Sequence, residues 1–116
     1  MIAEFENELG KVIISKDSIA KIAGLTAMEC YGVIGMASKN IKEGIVKLLG
    51  IESLTRGVEV NIVDNKLNLV LHIIVSYGTN ISATGESIMN TVKYKVEQLS
   101  GIEVESVKIM VEGVRV

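Results

Sequence analysis

The chain reads as a single small α+β domain, a mixed and mainly antiparallel sheet with helices packed on it. Two patterns predict this. Apolar and polar residues alternate over 58–62, and Leu67, Leu69, Leu71, Ile73 and Val75 recur at period two over 67–75, the period of a pleated strand. Over 19–30 and 81–99 apolar residues instead recur at three- and four-residue spacing, the period of one helix face. No linker, low-complexity tract or charge block divides the 116 residues, so one core is expected.

The elements follow in order. Glu4, Glu6 and Glu8 make residues 1–9 an acidic lead, and the domain proper is expected over 10–116. Lys11-Val12-Ile13-Ile14 reads as a short strand. Ser15 offers its hydroxyl to the unpaired amides of a first helical turn. Ile19, Ile22, Ala23, Thr26, Ala27 and Cys30 then share a face, and Gly32 is placed to end that helix. A second strand is expected over 33–37. Ile41, Ile45, Leu48 and Leu49 suggest a short amphipathic helix, interrupted by Gly44 and closed by Gly50.

A hairpin is the firmest pairing. Val58, Val60 and Ile62 lead to Asp64-Asn65, residues that tolerate a tight turn, and Leu67, Leu69, Leu71, Ile73 and Val75 return at strict period two. Val70 and Ile74 make the middle of the opposite face apolar too, which predicts a central strand covered on both sides by helices or another subunit. The longest helix opens at Asn80 or Ser82, with Ile81, Ile88, Val92, Val96 and Leu99 as its buried stripe. Gly101 stops it and Ile102 covers the last turn. In the final strand Val107, Ile109 and Val111 share one face and Lys108 and Glu112 the other; a bulge at Gly113 flips the parity to Val114 and Val116. Gly57-Val58-Glu59-Val60 and Gly101-Ile102-Glu103-Val104 echo each other, each entering a strand after a glycine.

Composition narrows the chemistry. Hydrophobic residues are 48% of the chain, while tryptophan and proline are absent and there is one histidine and one cysteine. Aromatic residues make up only 3%, which weakens any reading that needs base-stacking platforms. The net charge of −2 offers no overall field for a polyanion. A lone Cys30 excludes an intrachain disulfide and favours a reducing compartment. The start lacks the basic and apolar regions of a signal peptide, and the longest apolar run, 69–75, is far too short to span a bilayer. A cytoplasmic protein is expected.

His72 lies mid-strand among apolar residues with no acid, nucleophile or co-ligand paired to it in the sequence, so it reads as a satisfied core or interface histidine rather than a base. Cys30, near a helix C-terminus where the dipole disfavours a thiolate, reads as a core residue. Catalytic, cofactor-binding and metal-binding residues are therefore expected to be absent, and no cofactor is implied. Gly32-Val33-Ile34-Gly35 meets the bare spacing of a KH-type RNA-binding loop, but its central pair is apolar and β-branched where a backbone clamp favours small or basic residues. The 39–56 segment combines a glycine-interrupted amphipathic pattern with Lys39, Lys42, Lys47 and Arg56, which makes those four the candidate partner contacts. A short helix with a solvated basic face is the plainer reading of the same residues.

Three blocks resemble a known family. They are the run Ile19-Ala20-Lys21-Ile22-Ala23-Gly24-Leu25-Thr26-Ala27-Met28-Glu29-Cys30-Tyr31-Gly32-Val33; Thr55-Arg56-Gly57-Val58-Glu59-Val60 with the strand ending at Tyr77-Gly78; and 91–99 followed by Gly101-Ile102-Glu103-Val104 and Val111-Glu112-Gly113-Val114. In order and spacing they resemble the alkaline shock protein family, the Gls-type general stress proteins of Gram-positive bacteria. The resemblance implies a non-enzymatic protein of cell-envelope stress that self-associates and sits near the membrane through an anchored partner. The short tail after Gly113 resembles the paralogue encoded beside a dihydroxyacetone-kinase-like protein of fatty-acid phosphorylation, which implies a partner from that system. The expected function is a scaffold or adaptor acting as a homo-oligomer with a protein partner, without nucleic acid or a membrane span of its own. A KH-like RNA-binding module is the alternative.

Overall fold

The structure, a computed structural model, describes residues 2–7, 10–38 and 51–116. Strands β1 (Ile2–Asn7) and β2 (Gly10–Ser15) pair antiparallel as a sheet of their own, with Phe5 opposite Val12 and Ala3 opposite Ile14. The strand at 2–7 is not foreseen by the acidic lead, because alternating glutamates disguise it. β2 runs straight into α1 (Lys16–Met28), where Ser15 Oγ accepts from the Asp17 amide at 3.1 Å, the cap expected from its sequence position. α1 ends at Met28, before Gly32. The glycine instead takes φ +87° in the turn that follows, so it reverses the chain rather than closing the helix.

The second sheet is built around β5. β3 (Val33–Met36) and β4 (Val58–Val63) both pair with β5 (Lys66–Ser76) antiparallel, β4 along residues 66–71 and β3 along 73–75. They therefore occupy one edge of β5 end to end. β6 (Val104–Arg115) runs parallel along the other edge. A 3-10 turn, Ile51–Gly57, leads into β4. Asp64 and Asn65 both have positive φ, 51° and 62°, as a two-residue hairpin between right-twisted strands requires. The central position of β5 and the mainly antiparallel α+β class match the sequence expectation.

Leu67, Leu69, Leu71, Ile73 and Val75 point to the face that α1 and α2 (Ile81–Ser100) cover, where they pack with Ile19, Ala23, Ala27, Ile88, Val92 and Val96. Burying such a side chain fully contributes about 1.5–3 kcal/mol, so this layer dominates the fold's stability. On α2 the buried row is Thr84, Ile88, Val92 and Val96. Ile81 and Leu99, expected in that stripe, are 47% and 63% exposed. Both point within about 20° of Ile88 about the helix axis, but they lie in the first and last turns of α2, away from its buried middle.

Asn80 caps α2, its side chain accepting from the Ala83 amide, and Gly101 closes it in the left-handed conformation with φ 75°. Ile102 is buried behind the closed end. A β-carbon on Gly101 would meet nothing within 4 Å, so the constraint there is conformational and not steric. Gly101→Val is expected to lower stability by about 1–2 kcal/mol through left-handed strain. An unchanged denaturation midpoint would contradict that.

Candidate functional site

His72 sits on the β5 face turned away from the helices, and it is 8% exposed. Its Nε2 lies 2.9 Å from Glu59 Oε2 on β4, and its Nδ1 lies 3.2 Å from Glu112 Oε1 on β6. One imidazole thus links β5 to both β4 and β6 through two carboxylates. The absence of a paired acid, expected from sequence, is corrected: two acids pair with it, from residues 13 and 40 positions away.

Local structure places each partner. Glu59 alternates with Val58 and Val60, whose side chains join the helix-covered layer, so Glu59 takes the opposite face. On β6 the register slips between the pairs Ile73↔Val111 and Ile74↔Gly113, leaving Glu112 as the extra residue of a bulge. That irregularity, expected at Gly113, lets the Glu112 carboxylate swing onto the ring.

The geometry limits the chemistry. The lone-pair directions of the two ring nitrogens diverge, and each meets its own carboxylate, so no single point is within bonding reach of all three groups. Among the described residues no group of three histidine, cysteine, aspartate or glutamate side chains is arranged to hold a metal ion. A general base needs a ring nitrogen open to a substrate proton. Here both nitrogens are spoken for. Each nitrogen meets the carboxylate of a different strand. The cluster acts as a cross-strand clamp.

Other sequence candidates fall elsewhere. Lys39, Lys42 and Lys47, and the helix expected over 41–49, lie outside the described residues. Arg56 is exposed near the end of the 3-10 turn. In Gly32-Val33-Ile34-Gly35, the last three residues belong to β3, and Val33 and Gly35 are in register with Val75 and Ile74. That segment is a paired strand, not an open clamping loop. Cys30 is half-buried and its Sγ donates to the Thr26 carbonyl at 3.5 Å. Burial pushes its thiol pKa up, a hydrogen bond with Thr91 pulls it down, and the neighbouring Glu29 charge adds to the rise. A thiol reagent such as Ellman's is expected to modify native Cys30 more slowly than the unfolded chain near pH 8, since the thiolate is the nucleophile. Equal rates would contradict this.

A family model, that of the alkaline shock protein 23 family with its cell envelope-related function, matches residues 4–116. The chain belongs to this family. Among its relatives in the family, the uncharacterized protein YloU of Bacillus subtilis (strain 168) is 44% identical over 117 residues, spanning 100% of this chain and 98% of the relative. The uncharacterized protein Spy1614 of Streptococcus pyogenes serotype M6 is 32% identical, over 100% of this chain and 97% of the relative. A solved structure of MamM CTD superposes with a TM-score of 0.50 at 15% identity, covering 84% of this chain and 93% of that one. At that identity the likeness speaks for the fold alone. No helix among the described residues of this alkaline shock family member is long and apolar enough to cross a membrane.

Proposed function

We propose that this protein is a non-catalytic scaffold or adaptor of the cell envelope, acting by self-association and partner binding. Family membership supplies the cell-envelope setting. The observation that carries the non-catalytic part is the clamp: the one histidine has both nitrogens committed to carboxylates, so it stiffens a sheet and does not act on a substrate. In this reading the protein is cytoplasmic and reaches the membrane through an anchored partner. A partner from fatty-acid phosphorylation enters from the family resemblance alone.

Self-association is supported by apolar side chains that the fold leaves open, Ile81 and Met89 on α2 and Met110 on β6 among them. Sedimentation of the purified chain over a wide concentration range tests it. The expected result is a mass that rises with concentration, and a constant monomer mass overturns it. The same sample passed over a polyanion column is expected to run through at moderate salt; salt-sensitive retention would favour RNA binding instead.

A further inference from the structure

The turn from α1 to β3 and the turn from β5 to α2 lie side by side at one end of the main sheet, where the Ser76 amide donates to the Gly32 carbonyl at 2.9 Å. Each carries a Tyr-Gly pair whose glycine has positive φ, 87° at Gly32 and 85° at Gly78. Between them opens a cavity of about 330 Å³, lined by Tyr31 and Gly32 from the first turn and by Tyr77, Gly78, Thr79 and Asn80 from the second. No charged side chain lines it. The cavity sits outside the carboxyl end of β5, in a β5–α2–β6 unit whose strands are parallel. That is where open α/β sheets take their ligands.

The start of α2 borders this cavity, and its first turn holds no acidic side chain, so the positive end of a 20-residue helix has no carboxylate of its own. Asn80 occupies the Ala83 amide, while the Ile81 and Ser82 amides have no partner within the helix, as at any helix start. Gly78 leaves the approach open, since a β-carbon there would meet nothing within 4 Å. Thr84 is an independent sign of a ligand. It is 9% exposed, and its hydroxyl has no hydrogen-bond partner among the described residues. Among those residues no polar side-chain atom is both shut off from solvent and unpaired, so this hydroxyl reaches open space. It lies 3.4 Å from the point that a Gly32 β-carbon would occupy, and Thr79 Oγ1 lies 3.2 Å from the same point. Both hydroxyls therefore stand at the cavity wall.

We propose that this cavity binds the phosphate of a small phosphate monoester, held by the free amides at the start of α2 and by the Thr84 and Thr79 hydroxyls. A compact dianion matches what the site offers, which is backbone N–H and hydroxyl donors, a helix dipole and no lining acid to repel it. Arg115 brings a cation beside the rim, because its carbonyl accepts from the Tyr77 amide at 2.7 Å. One local group of donors suits a single phosphate and not a polyanion. Tyr31 and Tyr77, 92% and 74% exposed, flank the mouth and offer the organic part of the ester apolar faces to lie against. This binding is independent of self-association and of the His72 clamp.

Amide NMR spectra of the isotope-labelled full chain test this as inorganic phosphate, phenyl phosphate or phosphatidic acid vesicles are added. Saturable shifts at Gly78, Ile81 and Ser82 are expected with both soluble phosphates, phenyl phosphate being the tighter. Shifts that never saturate, or that centre on Lys93, Lys95 and Lys108, mean diffuse ion pairing and overturn the proposal. A response to the vesicles alone overturns it in favour of a lipid headgroup. Thr84→Val keeps the side-chain shape without the hydroxyl and is expected to weaken binding about five-fold or more. Ser82→Asp puts a carboxylate where the anion would sit. It is expected to abolish binding and, in phosphate-free buffer, to raise the melting temperature. Wild-type binding in both variants overturns the site, and if Thr84→Val misfolds, Ser82→Asp decides alone.

Discussion

His72→Leu is expected to destabilise the protein by about 2–3 kcal/mol, well beyond what losing one ring's packing would cost. The clamp explains the size. Removing the imidazole strands Glu112, whose side chain is 16% exposed and has little access to replacement water. Glu59 is 43% exposed and recovers hydration more easily, so its share is smaller. The two carboxylates are left on one sheet face without the group between them. Glu112→Gln alone is expected to cost about 1–2 kcal/mol, since it removes one charge-assisted contact while leaving the other. In the His72→Leu background the same change removes a stranded charge, so its cost should vanish or reverse, giving a coupling of at least about 1 kcal/mol. Additive losses in urea denaturation would refute the clamp. His72→Gln retains a donor and an acceptor, and it is expected to cost less, about 1 kcal/mol. A normally folded His72→Gln protein that loses its cellular function would count against the non-catalytic reading.

The clamp also shows what sequence can carry. The facing of its three members was legible: alternation puts Glu59 opposite in sense to Val58 and Val60, His72 opposite to Leu71 and Ile73, and Glu112 opposite to Val111. What alternation lacks is strand order. The hairpin sets β4 beside β5, but nothing local says that β6 flanks β5 on the other side, because that arrangement arises from α2 carrying the chain across the sheet to lay β6 parallel to β5. Turns and caps were legible for the opposite reason. Ser15, Asn80, Asp64-Asn65 and Gly101 act on their own nearest neighbours, and the structure places each in the expected role. The strand at 2–7 was hidden because Glu4 and Glu6 alternate with apolar residues on a two-stranded ribbon that has no place in the main sheet. For α2, spacing fixed the helix but not which residues its neighbours cover, so Ile81 and Leu99 were placed inside when they lie open.

Gly57→Ala is expected to lower stability by about 2–3 kcal/mol although it adds a single methyl group. Gly57 ends the 3-10 turn and hands the chain to β4, in the same letter pattern that Gly101 begins before β6. The two glycines answer to different constraints. Gly101 has a positive φ and open space around it; Gly57 needs no left-handed backbone, but a β-carbon there would lie 2.7 Å from the Ala37 carbonyl oxygen. It would also sit 3.1 Å from the Met36 β-carbon and 3.2 Å from its terminal methyl. The methyl can rotate away. The carbonyl and β-carbon cannot, because the Ala37 amide donates to the His72 carbonyl at 2.9 Å and holds that backbone against β5. The added atom therefore has to push β4 or β3 out of register with the central strand. For a chain of this size such a loss lowers the melting temperature by roughly 10 °C. Gly24→Ala is the control, since its new carbon meets the Leu54 β-carbon at an ordinary 3.4 Å and gains helix propensity. That variant is expected to melt near the wild type. Should Gly57→Ala melt there as well, β3 and the start of β4 are less tightly joined than the approach to Ala37 implies.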